Sequence, residues 1–215
     1  MTDFRPDAFS RRQLLVGAAT FAAVGVVAPR RSAAAVAAVG SPAPTFSLES
    51  STGPTINLAD QRGNIVILEW TNHDCPYVRK HYDTSNMQNL QNDAAGQGVV
   101  WLTVISSAPG TQGHVSAREA NHLTRARRAN PTAVLFDPTG TVGKAYGATN
   151  TPHMYVVTKD GVLAYAGAID DKPTTRKGDV ETAQSYVRPA LAAVAAGLPV
   201  KVPVTRAYGC TIKYA

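Results

Sequence analysis

Apolar and polar positions along the chain predict short strands and helices that follow one another in turn. An unbroken apolar run at residues 65–71 predicts a buried strand, and residues 75–95 carry apolar side chains at helical spacing, with a break near Thr84 and Ser85. Further strands are predicted at residues 46–58 (two short strands around a turn), 99–105, 133–136, 153–158 and 162–168. Further helices are predicted at residues 114–129, 142–146 and 179–196, the last kinked or divided at Pro189. This order predicts an α/β fold with a central mixed sheet flanked by helices.

The predicted strand at residues 65–71 leads into the most distinctive part of the sequence, a polar loop followed by Cys75 and Pro76. Proline is favoured at the first position of a helix, so this order places the Cys75 thiol at a helix N-terminus. The unpaired N–H groups and the helix dipole favour a thiolate at such a position. Cys75 is therefore predicted to be a nucleophile.

The N-terminal residues have the order of an export signal. Residues 10–15 (SRRQLL) resemble the twin-arginine motif, and the Ala-, Gly- and Val-rich stretch that follows, as far as Ala28, is short for a membrane span. Small residues at positions 32–38 predict cleavage near Ala37 or Ala38, with an uncleaved N-terminal anchor as the alternative. We predict a signal peptide at residues 1–38 and one domain at residues 39–215. The protein would be exported, to the periplasm or another extracytoplasmic space, and would meet the membrane only through its export signal.

Charge and cysteine content exclude several classes of function. The chain has 21 basic and 15 acidic residues. The predicted signal holds five of the basic and two of the acidic residues, so the remaining domain has 16 basic and 13 acidic residues and a net charge of +3. With so small a charge and no basic stripe, we predict no nucleic-acid partner. The sequence has no Gly-rich phosphate loop, and we predict no cofactor. Its two cysteines are too few for a disulfide-rich scaffold.

The predicted elements resemble the thioredoxin fold, because a cysteine follows the first central strand and Thr151-Pro152 precedes a later one. In that fold a cis-proline loop lies against the active-site cysteine, and Pro152 is at the matching position. The resemblance therefore implies that Thr151 and Pro152 lie beside Cys75. An ordinary trans proline at a strand entrance is the alternative.

More narrowly, residues 41–215 resemble the redoxin group that includes the alkyl hydroperoxide reductase and thiol-specific antioxidant proteins. The most specific match is at residues 70–78 (WTNHDCPYV), and a subset of the group shares the Gly-Cys-x-x-Lys-Tyr tail found at residues 209–214. The resemblance implies an oxidoreductase in which Cys75 attacks a peroxide or a protein disulfide and Cys210 resolves the product. An unidentified thiol would donate the electrons. A permanent Cys75–Cys210 disulfide and pairing of Cys210 between chains are the alternatives.

The chain departs from both established patterns of this group. A Cys-x-x-Cys enzyme would have a second cysteine three residues before Cys75, where this chain has Asn72. Typical peroxiredoxins have Pro-x-x-x-Thr/Ser-x-x-Cys, but here Leu68 replaces the proline and Asn72 the hydroxyl residue, with Thr71 one position away. Asn72 can donate a hydrogen bond in place of the hydroxyl. The sequence therefore leaves the choice between peroxide and disulfide open.

Two sets of residues are candidates for the active site. The catalytic candidates are Cys75, Cys210, Asn72, Thr71 and Pro152. The candidates for substrate contacts are Trp70, His73, Pro76, Thr151 and His153.

Three histidines and one carboxylate near Cys75 have specific expected roles. His73 is expected to stabilise the thiolate and His153 to face the substrate, whereas His81 can equally be a solvated helix residue. Glu69 is either a buried proton carrier or a carboxylate at a strand end. We predict no bound metal, but a copper site formed by Cys75, His73 and His153 would make the protein a metal-binding module instead.

Overall fold

The computed structural model describes residues 1–2 and 36–215. The predicted twin-arginine motif and the apolar stretch after it lie outside these residues. From residue 36 onward the described chain belongs to one compact unit. Within the described residues, no helix has both the length and the apolar character needed to cross a membrane.

Strands and helices alternate along the described chain much as the hydrophobic pattern predicts. The strands are β1 (Ser47–Ser50), β2 (Thr55–Asn57), β3 (Val66–Trp70), β4 (Val100–Ile105), β5 (Ala133–Phe136), β6 (Asn150–Thr151), β7 (His153–Val157), β8 (Leu163–Gly167) and β9 (Cys210–Thr211). The α-helices are α1 (Pro76–Asp83), α2 (Asn86–Gly96), α3 (Ala117–Ala126), α4 (Thr141–Tyr146) and α5 (Val187–Ala195). Short 3₁₀ helices cover Leu58–Gln61 and Lys177–Thr182. The predicted break near Thr84 and Ser85 is confirmed, since it separates α1 from α2.

Seven strands form the central sheet in the order β2-β1-β5-β4-β3-β7-β8. The three central strands β3, β4 and β5 run parallel, and β7 and β8 add an antiparallel hairpin beside β3. A mixed sheet flanked by helices is the predicted α/β architecture, which is confirmed. A separate two-stranded ladder joins β6 to β9, and it brings the C-terminal segment to the end of the sheet where β3 leads into α1.

Each face of the sheet carries its own hydrophobic core. On one face, Ile67 and Trp101 pack with residues of α1, α2 and α5, and Cys75 belongs to this core. On the other face, Trp70 and Tyr155 pack with Tyr146 of α4 and with the segment before β1. Side chains alternate between faces along a strand, so neighbouring residues of β3 contribute to different cores.

One local prediction is wrong, and two short strands were not predicted. The last helix is not broken at Pro189: residues 177–182 form a 3₁₀ helix, and α5 begins at Val187 after an irregular connection. Pro189 lies in the first turn of α5, where proline is tolerated because the N–H that it lacks has no helical partner there. The two-residue strands β6 and β9 were not predicted, because neither has a hydrophobic pattern of its own.

Candidate active site

Cys75 lies immediately before α1 and is completely buried. Its backbone is extended (φ −70°, ψ 122°) and Pro76 is the first helical residue, which confirms the predicted position at a helix N-terminus. The Cys75 N–H donates to the carbonyl oxygen of Asn72 at 3.1 Å and closes the loop that precedes the helix. The thiol has 0% exposure, and it donates to the carbonyl oxygen of Thr151 at 3.2 Å.

Cys210 lies directly against Cys75, although 135 positions separate the two residues in the sequence. Strand β9 pairs antiparallel with β6 so that Cys210 is opposite Thr151, whose carbonyl oxygen accepts the Cys75 thiol hydrogen bond. The two cysteines are free thiols whose side chains lie next to each other, and Cys210 is only partly buried. Burial, the hydrogen bond with Cys75 and the negative charge of a Cys75 thiolate together raise the pKa of Cys210 to about 12. The Cys210 thiol therefore keeps its proton at physiological pH.

The Thr151–Pro152 peptide bond is cis, as the resemblance to the thioredoxin fold implies. The chain of β9 passes this loop very closely at Gly209, which has a left-handed backbone (φ +124°). A Cβ atom on Gly209 would lie 1.9 Å from the carbonyl oxygen of Thr151. Glycine at this position therefore permits the close approach that puts Cys210 on Cys75.

The residues after Cys210 hold the tail in place. Ile212 is buried in the core that contains Trp70, and its N–H donates to the carbonyl oxygen of Thr149 at 3.0 Å. The Tyr214 hydroxyl donates to the carbonyl oxygen of Ala148 at 2.6 Å. Tyr214 also packs closely on Gly143, because a Cβ atom on Gly143 would lie 2.3 Å from the Tyr214 hydroxyl oxygen. The Gly-Cys-x-x-Lys-Tyr segment thus contains one residue that permits the close approach (Gly209), one thiol (Cys210) and two anchors (Ile212 and Tyr214).

A buried polar cluster holds Tyr208, the residue immediately before Gly209. Tyr208 packs its ring on Tyr77 with 5.9 Å between centroids, and its hydroxyl donates to Asp170 and hydrogen-bonds to His81 at 3.3 Å. Lys80, only 1% exposed, donates to the carbonyl oxygen of Lys172 at 2.8 Å and to the Tyr208 hydroxyl at 3.4 Å. Cys210 is therefore fixed from both sides.

His81 belongs to this cluster and is not a solvated helix residue. It has 0% exposure, and its second ring nitrogen hydrogen-bonds to Asn86 at 2.8 Å. Burial, together with the charge of Lys80, lowers the pKa of His81 to about 3. The ring is therefore neutral at physiological pH and acts as a hydrogen-bonding group.

The polar residues of the loop before Cys75 interact mainly within the loop. The Asn72 side chain accepts from the Asp74 N–H at 2.9 Å and lies against Gly113, where a Cβ atom would be 2.5 Å from it. His73 pairs with Asp74 at 3.3 Å, so the ring faces a carboxylate and makes no hydrogen bond to Cys75 within the described residues. Thr71 is buried and, with His73, lines a cavity of about 40 Å³ under α3. The structure thus gives neither Asn72 nor His73 the contact with the thiol that the sequence predicts.

Trp70 and His153 face away from the thiols. They are register partners on β3 and β7, and both point to the sheet face that carries Tyr155, opposite to the face of Cys75. Trp70 is fully buried and donates to the Ser106 hydroxyl at 2.9 Å. His153 stacks on Tyr155 at 4.6 Å, and burial lowers its pKa to about 4. The expected substrate contacts of both residues are therefore corrected to core packing and hydrogen bonding.

Glu69 is a buried carboxylate within β3 and not a strand-end residue. Its side chain has 0% exposure and accepts hydrogen bonds from Tyr82 at 2.9 Å, Trp101 at 2.9 Å and Thr103 at 3.1 Å. Burial raises its pKa in spite of these hydrogen bonds, which favour the ionised form. Tyr82 and Trp101 belong to the same core as Cys75, so this proton-binding group lies on the thiol side of the sheet.

The described residues do not assemble the alternative copper site. Within residues 1–2 and 36–215, no group of three or more His, Cys, Asp and Glu side chains is placed to hold a metal ion. His153 lies on the other face of the sheet from Cys75, and His73 pairs with Asp74.

Sequence reasoning missed Tyr208, Lys80 and Asp170, which position the tail. The sequence signal available for them was weak: a lysine and a histidine adjacent in a helix, and a tyrosine two residues before Cys210. Only the tertiary structure shows that these groups share one buried site.

Comparisons with known proteins agree with this geometry. A family model described as the AhpC/TSA family matches residues 39–166. A search of curated proteins finds no match.

Solved structures resemble most of the described chain. An uncharacterized conserved protein from Geobacillus kaustophilus is 26% identical, with a TM-score of 0.71 over 83% of this chain and 93% of that chain. A hypothetical protein from Sinorhizobium meliloti 1021 is 23% identical, with a TM-score of 0.69 over 83% and 95%. A protein provisionally assigned as the thiol:disulfide interchange protein DsbE of Chlorobium tepidum is 20% identical, with a TM-score of 0.52 over 74% and 99%. These similarities show a thioredoxin-like fold.

Proposed function

Because this chain belongs to the AhpC/TSA family, we propose that it is an exported, two-cysteine oxidoreductase that cycles between a Cys75–Cys210 dithiol and the corresponding disulfide. The observation that carries the proposal is the direct contact of the two thiols across the β6–β9 ladder. Sulfur atoms already in contact can form a bond with little rearrangement of the chain. Cys210 thus supplies the second thiol that the missing Cys-x-x-Cys motif would otherwise provide.

Cys75 is the nucleophile in this cycle, because the raised pKa of Cys210 keeps that thiol protonated. The Cys75 thiolate attacks a hydroperoxide, the O–O bond breaks, and a Cys75 sulfenic acid and an alcohol or water result. The Cys210 sulfur then attacks the Cys75 sulfur, and the sulfenic oxygen leaves as water as the disulfide forms. An external thiol donor returns two electrons and restores the dithiol.

The burial of Cys75 favours a small oxidant. With 0% exposure and the tail above it, the thiol cannot meet a folded protein disulfide unless the tail moves. A hydroperoxide needs only a small opening. Family membership supports the same substrate class.

Disulfide exchange is the second candidate, and the environment of Asn72 favours it. Its amide is engaged by the Asp74 N–H, and no described arginine or lysine side chain hydrogen-bonds to Cys75. The groups that would orient a peroxide are therefore not in place around the thiol. In this candidate, Cys75 attacks a substrate disulfide and Cys210 displaces the bound half.

One experiment separates the two candidates. Reduced protein is mixed with one equivalent of hydrogen peroxide or of glutathione disulfide. The reaction is quenched with an alkylating reagent at short times, and the intact mass of the protein is measured by mass spectrometry. The proposal expects both thiols to disappear together, faster with peroxide than with glutathione disulfide. Cys210→Ser should accumulate a sulfenic acid on Cys75, and Cys75→Ser should react slowly.

Two results would decide against the peroxide cycle. Faster oxidation by glutathione disulfide, with a glutathione adduct on Cys75 in the Cys210→Ser variant, would favour disulfide exchange. Slow oxidation by both reagents with both thiols still alkylated would contradict the proposal as a whole.

A further inference from the structure

Three large apolar side chains lie exposed close together in the segment between α5 and β9. Leu198 is 62% exposed, Val202 is 50% exposed and Val204 is 62% exposed. Only two other large apolar side chains of the described chain are exposed, those of Met1 and Val36. Single exposed apolar residues are ordinary on a protein surface, but a cluster of them marks an interaction surface.

The cluster borders an apolar groove of about 380 Å³ beside α5. Residues of α5 line this groove together with residues 198–202. Tyr186 lines the same groove and also lines a second groove, to which Arg206 belongs. The apolar cluster and Arg206 therefore form one stretch of surface along residues 198–206.

The two charged side chains of this segment are both positive. Lys201 and Arg206 are exposed, and neither forms an ion pair within the described residues. No acidic residue follows Glu181 in the sequence, whereas four basic residues do. The segment therefore presents apolar and positively charged groups side by side.

Two carboxylates line the second groove, but neither pairs with Arg206. Asp170 is only 3% exposed. Asp171 accepts a hydrogen bond from the Gln184 N–H at 2.8 Å. The charge of Arg206 is therefore available to an anionic partner.

We propose that residues 198–206 dock this protein on the surface of an anionic phospholipid bilayer. The three exposed apolar side chains enter the boundary between headgroups and acyl chains, and the two basic side chains meet the lipid phosphates. A bilayer interface combines apolar depth with negative charge, which complements this segment. A second copy of the chain is a poorer partner, because face-to-face pairing would bring two sets of the positive charges into one interface. The inference is independent of the proposed Cys75–Cys210 cycle.

The test measures amide hydrogen exchange of the full chain on two kinds of vesicle, phosphatidylcholine alone and an equal mixture with phosphatidylglycerol. The amides followed are those of residues 200–202, whose N–H groups make no hydrogen bond within the described residues and exchange quickly in the free protein. This readout is local, so binding of the predicted N-terminal signal to either vesicle does not contribute to it. We expect exchange to be about tenfold slower on the anionic vesicles than on the neutral ones, because each basic side chain near the surface strengthens binding about fivefold.

Two variants with matched controls locate the surface. Lys201→Glu should lower the ratio of the neutral-vesicle rate to the anionic-vesicle rate by about fivefold or more. Lys159→Glu makes the same charge change at an exposed position between β7 and β8 and should keep the wild-type ratio. Val202→Asn removes one of the apolar contacts and should also lower the ratio. Ala95→Asn, at an exposed position on α2, should not.

Three results would overturn the inference. Equal exchange rates on neutral and anionic vesicles would show that the segment does not recognise anionic lipid. A ratio that Lys201→Glu and Val202→Asn leave unchanged would place the contact elsewhere on the protein. Exchange at residues 200–202 that slows with rising protein concentration in the absence of vesicles would assign the surface to a second copy of the chain.

Discussion

Glu69 shows how strongly the environment of one residue can change its chemistry. Its carboxylate lies within a central strand, accepts hydrogen bonds from Tyr82, Trp101 and Thr103, and has no exposed surface. The unbroken apolar run at residues 65–71 predicted a buried strand that contains Glu69. It could not show that helices cover both faces, which is why a strand-end carboxylate remained a sequence-level alternative.

Glu69 is predicted to make stability depend on pH. Burial raises its pKa in the folded protein above the ordinary value of 4.5, so the folded state keeps the proton to higher pH than the unfolded chain. This contribution is complete below pH 4.5 and is lost as the pH rises towards the folded-state pKa, by about 1.4 kcal/mol per pH unit within that window. Glu69→Gln should remove this slope, measured by urea unfolding at a series of pH values.

Glu49→Gln, at an exposed position of β1, is the matched control and should keep the wild-type slope. Parallel pH profiles for the wild type and Glu69→Gln would contradict the assignment of the titrating group.

Gly209 is predicted to be required for rapid disulfide formation. A Cβ atom in Gly209→Ala would lie 1.9 Å from the Thr151 carbonyl oxygen, and the left-handed backbone adds strain. We expect the substitution to weaken docking of the tail by about 1–3 kcal/mol. Because oxidation needs the docked tail, the rate of Cys75–Cys210 oxidation should fall about five- to hundredfold. The rate is measured by timed alkylation after addition of a mild oxidant.

Gly178→Ala is the control, because no atom lies within 4 Å of a Cβ atom there and its backbone is not left-handed. It should oxidise at the wild-type rate. An unchanged rate in Gly209→Ala would show that the tail does not need its close approach to Thr151.

At the level of elements, the C-terminal segment holds a reactive cysteine in a fixed position. Strand β9 has two residues, yet Tyr208 anchors it before Cys210, and Ile212 and Tyr214 anchor it after. The sequence resemblance implied a resolving cysteine near the C-terminus. The anchors come from α1, from the loop after β8 and from the loop after α4, and long-range contacts of that kind leave no local pattern.

Removal of an anchor should expose Cys75. In a Cys210→Ser background, Tyr214→Ala deletes a ring that packs on Gly140 and Gly143 and a hydroxyl that donates to Ala148. Loss of about 2–3 kcal/mol of tail docking should make Cys75 alkylation about 30- to 140-fold faster. The measurement is the rate of reaction with a maleimide at constant pH.

Leu198→Ala in the same background is the control, since Leu198 is 62% exposed. Equal alkylation rates in the Tyr214→Ala variant and this control would mean that the tail does not protect the thiol.

The helices show where local patterns are sufficient and where they are not. The helix start at Cys75 and the break between α1 and α2 were predicted, because proline and the change in apolar spacing mark them locally. The start of α5 was not predicted. The acidic and polar residues before it were predicted to be helical, but they form a 3₁₀ helix and an irregular connection instead. The tertiary structure was also needed to show which face of the sheet each strand residue points to, as the orientations of Trp70 and His153 illustrate.

At the scale of the whole molecule, the alternation of apolar runs was enough for the α/β fold and its mixed sheet. The expected export signal remains a prediction, since residues 3–35 lie outside the described part of the chain. The substrate also could not be predicted from the sequence, because the residues around Cys75 match neither family pattern. The geometry adds the burial of Cys75 and the position of Cys210.

A disulfide across the two cysteines should stabilise the whole fold. It would close a loop between residues 75 and 210 that contains most of the sheet, and so restrict the unfolded chain. We expect the oxidised protein to have a free energy of unfolding about 2–4 kcal/mol higher than the reduced protein, measured by denaturant unfolding of each form. Equal stabilities for the two forms, with the disulfide verified by mass, would contradict this prediction.

The Cys75–Cys210 cycle is tested most directly by a redox titration of the wild-type protein in dithiothreitol buffers, with the alkylated thiols counted by intact mass. We expect one two-electron transition in which Cys75 and Cys210 lose their thiols together within a single chain, at a potential above about −300 mV, where biological thiols can reduce the disulfide. A transition well below that potential would indicate a permanent structural disulfide. Thiols that stay free at every potential, or disulfides that form only between chains, would contradict the Cys75–Cys210 cycle.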